Sequence, residues 1–118
     1  MITKNELDEF NSSILTGITV GIGSLILLFS SGVTVLVQCP FQCGKKGQFS
    51  AGHGEDIMTS TLLFSFLNHV VTSATMLNGS VLRLVLSDDC EIDIFPEDNG
   101  FESYVINTSQ GAYPVITY

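Results

Sequence analysis

The sequence predicts an α+β domain that is mainly antiparallel β. Its plan is an internally duplicated helix–β–β–β unit followed by a C-terminal β-hairpin, closing as a sandwich or half-barrel. Three observations carry this. First, residues 7–40 align without a gap on residues 63–96, at an offset of 56. Leu7 meets Leu63, Phe10 meets Phe66, Gly23-Ser24 meets Gly79-Ser80, and Pro40 meets Pro96; Gly44 also falls on Gly100. A period of this length marks one supersecondary unit used twice. Second, β-branched runs such as Ile18-Thr19-Val20 and Val33-Thr34-Val35 alternate with Gly/Ser turn signals. Third, the 118 residues suffice for one core but not for two. The expectation is a single domain, 1–118, with pseudo-repeats at about 6–44 and 62–100.

The elements follow in order. Thr3 with Glu6 three residues on has the spacing of a capping box, opening a short helix whose apolar face is Leu7 and Phe10. Residues 14–22 read as a strand, and 25–29 with 33–38 as a hairpin around Ser30-Ser31-Gly32. Residues 39–54, with Gly44, Gly47, Gly52 and Gly54, read as a loop or loose hairpin. Asp56 is placed to N-cap a second helix over 57–68, the better formed of the two, with Leu62, Leu63, Phe66, Leu67 and Val70 at helical spacing. Strands are expected at 69–77, 81–86, 90–95, 103–107 and 112–118.

Alternation along the second hairpin places Ile92 and Ile94 on one face and Glu91 and Asp93 on the other. A three-residue loop at 87–89 sets Arg83 opposite Asp93 on an exposed face. At the offset of 56 their counterparts are Leu27 and Val37, so the first hairpin is expected to be central and covered on both sides.

No Lys, Arg, Asp or Glu occurs between Glu9 and Lys45, a run long enough to cross a bilayer as a helix. Gly21, Gly23 and Ser30-Ser31-Gly32 interrupt it, and the second copy carries Arg83, Asp88, Asp89, Glu91 and Asp93 at matching places. One backbone serving both copies therefore belongs in water, not hydrocarbon. The polar N-terminus has no secretory signal pattern, and three cysteines make no even disulfide framework, so a reducing cytoplasm is expected.

Net charge is −8, from 12 Asp plus Glu against 4 Lys plus Arg. This argues against nucleic acid and against anionic membranes, and favours a basic partner. Asp88, Asp89, Glu91, Asp93, Glu97, Asp98 and Glu102 put 7 of the 12 acids into 15 residues. The first six are the candidate partner-binding residues; Glu102, set in Phe101-Glu102-Ser103-Tyr104, is expected to be structural.

No catalytic constellation stands out. His53 and His69 have no Gly-x-Ser-x-Gly serine beside them, and Gly21-Ile22-Gly23 lacks the rest of a dinucleotide fingerprint. Cys39, Cys43, His53 and Cys90 could supply four zinc ligands. No second close pair follows Cys39 and Cys43, so the reading is no metal and no cofactor, with Cys39 and Cys90 as small hydrophobes.

The residues from Gly23-Ser24-Leu25-Ile26-Leu27-Leu28-Phe29 to Pro40-Phe41 carry a resemblance, as do Leu67-Asn68-His69-Val70-Val71-Thr72 and Gly79-Ser80-Val81-Leu82-Arg83-Leu84. With Pro96 and Phe101-Glu102-Ser103-Tyr104, the chain resembles a family of small bacterial proteins that sit among polymorphic-toxin loci. Such proteins act as immunity partners, those of contact-dependent growth inhibition systems among them. Asp89-Cys90 stands where an Asp-Gly turn is common in that pattern. The resemblance implies no enzyme activity. It implies stoichiometric inhibition of a cognate toxin domain, basic and of nuclease type, in the cytoplasm. Two alternatives remain at this stage. One is a ligand-binding β-barrel with an apolar pocket lined by Leu27, Val35 or Phe66. The other is a structural domain that self-associates through residues 25–38.

Overall fold

A computed structural model describes residues 2–118. Ten strands form two five-stranded antiparallel sheets. They are β1 (Leu15–Gly21), β2 (Ser24–Phe29), β3 (Thr34–Val37), β4 (Pro40–Lys45), β5 (Gln48–His53), β6 (Val71–Leu77), β7 (Val81–Leu86), β8 (Cys90–Ile94), β9 (Glu102–Thr108) and β10 (Gly111–Ile116). One sheet runs β1-β2-β3-β9-β10, the other β6-β7-β8-β4-β5. Each sheet therefore takes three strands from one half of the chain and a hairpin from the other. Of the two readings of residues 39–54 the hairpin holds: they form β4–β5, the counterpart of β9–β10.

The matching registers show where the sequence offset holds and where it slips. β1 and β6 start 56 residues apart, at Leu15 and Val71. The turn between β6 and β7 has one more residue than that between β1 and β2: Leu77 pairs with Val81, whereas Gly21 pairs with Ser24. From there the offset is 57. Leu25, Leu27 and Phe29 face the core from β2, and Leu82, Leu84 and Leu86 from β7. β3 joins β4 through residues 38–39, but β8 joins β9 through residues 95–101, so the crossing hairpins match at an offset of 63: Cys43–Ser50 corresponds to Ile106–Tyr113.

The slip corrects the outer-face reading. Arg83 does pair with Asp93, but their counterparts are Ile26 and Leu36, not Leu27 and Val37, which are core residues at 1 % exposure. The cross-strand row Thr19–Ile26–Leu36–Val105–Pro114 answers to Thr75–Arg83–Asp93–Gln42–Ala51. Ile26, Leu28 and Leu36 are only half-buried, so the first hairpin is covered on one side.

The helices are short. The capping box at Thr3 and Glu6 is formed, and the α-helix is Lys4–Leu7. Ile57–Phe66 is a 3-10 helix rather than the expected α-helix. Its buried residues, Ser60, Leu63 and Phe66, recur every third position, as side chains eclipse in a 3-10 helix. Leu63 and Phe66 match buried Leu7 and Phe10. Asp56 caps it as expected, its Oδ1 accepting from Met58 N at 3.1 Å.

The inward side chains of both sheets and helices form one core. Phe10 and Phe29 meet edge to face at 5.3 Å, and Leu27 and Val35 fill the core rather than line a cavity. Tyr104, fully buried, donates its hydroxyl to the carbonyl oxygen of Ser80 in the longer β6–β7 turn. At the offset of 63 its counterpart is Phe41, which has no hydroxyl to satisfy and whose ring lies against Gly52. Among the described residues no helix is long and apolar enough to cross a membrane; the uncharged run is β1 to β4.

Gly54 sits where the chain leaves β5 and passes the end of β3. A Cβ there would lie 2.2 Å from the Val37 carbonyl oxygen, whereas one on Gly21 has nothing nearer than 3.7 Å. Gly54→Ala is expected to destabilise by about 1–3 kcal/mol, the usual cost of overpacking, with Gly21→Ala within about 0.5 kcal/mol of wild type. Urea unfolding of both variants checks this.

Candidate functional site

The acidic segment does not form one patch. The structure divides the six candidate acids among three places, two of which already hold cations. Asp93 is buried at 1 % exposure on the outer face of its sheet. Its Oδ1 accepts from Arg83 Nε at 2.9 Å, and its Oδ2 accepts from Arg83 Nη2 at 3.1 Å and Gln42 Nε2 at 3.0 Å. Glu91 Oε1 lies 2.7 Å from Arg83 Nε, and its side chain is 13 % exposed. Hydrogen bonding to Asp93, with the charges of Asp93 and Glu91 adding, raises the Arg83 pKa further. A two-pronged guanidinium–carboxylate pair is the strong form of this interaction. Asp93 and Glu91 are therefore not free surface charges, and the face expected to be exposed is half closed by their own pairing.

Asp88 and Asp89 sit at the β7–β8 tip, both in left-handed backbone conformation, φ 64° and 59°. The turn at 87–89 is thus left-handed at two residues without a glycine. Asp88 Oδ2 is 3.7 Å from His69 Nε2. Lys46 N donates to the Asp89 carbonyl oxygen at 2.9 Å, which brings Lys45 and Lys46 to the same tip. The lysines lie far from these acids in sequence and beside them in space.

Glu97 and Asp98 lie in the 95–101 connection, at the opposite end of β8. There Glu55 and Glu102 join Glu97 in lining a pocket of about 360 Å³, together with Gln38, Asn99, Phe101 and Ser103. No Lys or Arg lines it. The connection is well fixed. Glu97 N donates to Ser103 Oγ at 3.0 Å, Thr117 Oγ1 donates to the Glu97 carbonyl oxygen at 2.8 Å, and Gly100 N donates to the Thr117 carbonyl oxygen at 2.8 Å. Asp98 forms a bridge with Thr117. Glu55 is placed by Gly54, whose N–H donates to the Cys39 carbonyl oxygen at 2.9 Å. Phe101 is 75 % exposed at the rim.

Beneath the pocket lies the Cys39 thiol. Burial first, then the Glu97 carboxylate, push its pKa up to about 12, against a lowering by a backbone hydrogen bond at Gln38; Glu55 adds the least. Beside it, His53 Nε2 is 3.4 Å from Glu97 Oε1 and 3.8 Å from Glu55 Oε1. These three are the group of metal-ligating type whose ligand atoms converge, within 4.8 Å, among the described residues. The zinc set weighed from sequence does not assemble: Cys39, Cys43 and Cys90 are buried and free. His53 Nδ1 accepts from Glu55 N at 3.1 Å, which sets the ring beside the two carboxylates. The converging carboxylates suit a cationic guest.

Sequence reasoning names Glu97 and Asp98 but misses Glu55 and takes Glu102 as structural. In the Phe101-Glu102-Ser103-Tyr104 block the structural residues are Ser103 and Tyr104, both buried, while Glu102 is exposed. The signal lay in the unequal connections, two residues between β3 and β4 against seven between β8 and β9. No family model, curated protein or solved structure matches the chain.

Asp93→Asn is expected to destabilise by about 1–3 kcal/mol, since it removes the charge from a buried, three-fold hydrogen-bonded carboxylate. Asp88→Asn, at a 78 % exposed side chain, is expected within about 0.5 kcal/mol of wild type. Equal losses in urea titrations of the two would contradict this division of the acids.

Proposed function

We propose that this protein is a non-catalytic immunity-type inhibitor that binds a cognate basic toxin domain, of nuclease type, in the cytoplasm. The observation that carries the reading is the acid-lined pocket. Glu55, Glu97 and Glu102 converge on it with no Lys or Arg among its lining residues. The second half spends seven residues on a connection that the first half makes with two. Five further residues are not needed to cross between sheets, and an enlarged connection on a rigid scaffold is where binding residues collect. The resemblance noted from sequence points the same way.

The physics of the pocket fits a lysine or arginine of a nuclease's phosphate-binding surface. Glu97 and Glu55 stand on backbone fixed by hydrogen bonds, and their carboxylates, with that of Glu102, take the place of substrate phosphates. Exposed Phe101 supplies an aromatic anchor against which a guanidinium can stack. A net charge of −8 steers a basic partner toward the complex and accelerates association. Asp88, Asp89 and Asp98 belong to the steering field; Glu91 and Asp93 hold the sheet. The fold itself reads as two copies of one helix-and-five-strand unit with exchanged terminal hairpins, the second copy having gained the partner-facing features.

The test is Glu55→Gln, Glu97→Gln and Glu102→Gln together. The triple variant should keep the wild-type circular dichroism spectrum, associate with the toxin on the order of tenfold more slowly at low salt or worse, and no longer protect cells that express the toxin. A folded triple variant that protects fully at an unchanged association rate would sink the proposal.

A further inference from the structure

The outer faces of the two sheets use one backbone frame in opposite ways. On β6-β7-β8-β4-β5 the row Arg83–Asp93–Gln42 is polar and satisfies its own charges. On β1-β2-β3-β9-β10 the same three places hold Ile26, Leu36 and Val105, with Thr19 and Pro114 at the ends of the row. Leu28, two residues on from Ile26, extends the apolar surface along β2. Ile26, Leu28, Leu36 and Val105 belong neither to the joint core nor to the side chains packed against it. Within these five strands only Glu102, at the start of β9, is charged. The polar copy folds on the same frame, so the fold does not require an apolar row here.

We infer that this face is a self-association surface, and that its occupant is the same face of a second copy of the chain. Charge is the first reason. A basic partner is recognised by carboxylates, and the row carries none; the surface that complements it is equally free of charge. For two chains of net charge −8, contact here does not set carboxylate against carboxylate. Symmetry is the second. A two-fold axis along the central strand β3 turns the β2 side of one copy onto the β9 side of the other. Leu36 then meets Leu36 and Ile26 meets Val105, the self-complementary pattern that a two-fold contact requires. Size sets the strength. Five strands about 4.8 Å apart and about 20 Å long cover roughly 480 Å² per copy. The pair buries about 1,000 Å², the lower limit for a specific interface, which gives a dimer that dissociates on dilution. The inference concerns the free protein and stands whether or not the acid pocket binds a toxin.

The test is sedimentation equilibrium of the full chain at concentrations up to about 0.5 mM. The average mass should rise reversibly toward twice that of the monomer. It should rise more steeply in about 0.5 M salt than in about 0.05 M, because salt screens the repulsion between two acidic copies. Ile26→Arg with Leu36→Asp copies the Arg83–Asp93 pair onto the matching places. This double variant should keep the wild-type circular dichroism spectrum and associate about tenfold more weakly or worse. Leu36→Gln, which the two-fold axis counts twice, serves if the double variant does not fold, with the same loss expected. A monomer at every concentration, a dimer weakened by salt, or a folded variant that associates within about tenfold of wild type overturns the inference.

Discussion

The structure depends on one crossing point. Ile14 bridges Val70, 56 residues away, and the hydrogen bonds on either side are exchanged reciprocally. Val71 N donates to the Ser13 carbonyl oxygen at 2.7 Å, and Leu15 N to that of His69 at 3.0 Å. Ser12 N donates to the Val71 carbonyl oxygen at 2.9 Å, and Asn68 N to that of Leu15 at 2.8 Å. Ser12 and Asn68 are both left-handed, φ 65° and 71°. This is the contact pattern of a two-fold interface, in which residue i meets j and j meets i, written within one chain. The four bonds contribute roughly 1 kcal/mol each, but their larger effect is geometric. They fix how the two three-stranded units face each other, and so where β4–β5 and β9–β10 must go to complete the opposite sheet.

Given that frame, each departure from two-fold correspondence needs a separate cause. The Tyr104–Ser80 bond accounts for the longer β6–β7 turn as packing. Arg83, Asp93 and Gln42 replace Ile26, Leu36 and Val105 by a row that satisfies its own charges. The 95–101 connection has no such internal account. It adds surface carboxylates, whose mutual repulsion costs a folded domain something.

Much of the fold could be read from the chain because paired positions repeat their chemistry. Leu7 and Leu63, Phe10 and Phe66, and Gly23 and Gly79 do the same work in both halves, and the three-residue loop at 87–89 correctly set Arg83 against Asp93. The frame slips at Ser80 and after Ile94 were invisible, since a gapless offset of 56 still superposes turn on turn. The β4–β5 hairpin was half legible, because a loop and a hairpin were both left open by its glycines. Two of these permit backbone contact: a Cβ on Gly44 would lie 2.2 Å from the Gln48 carbonyl oxygen, and Gly54 is equally close to Val37. The 3-10 helix was mistaken for an α-helix because its apolar residues exceed its buried ones, which masks a period of three. The acids misled most. What neutralises or organises them comes from distant sequence: Gln42 is 51 residues from Asp93, Lys46 reaches Asp89 across two hairpins, and Glu55 meets Glu97 through His53.

Neither half completes its sheet without the other's hairpin. The direct measurement is to produce residues 1–53 and 54–118 separately, then mix them. Each alone should be without cooperative unfolding as a monomer, and an equimolar mixture should recover the native β-sheet spectrum and a single cooperative transition. A half that unfolds cooperatively as an isolated monomer would contradict the claim.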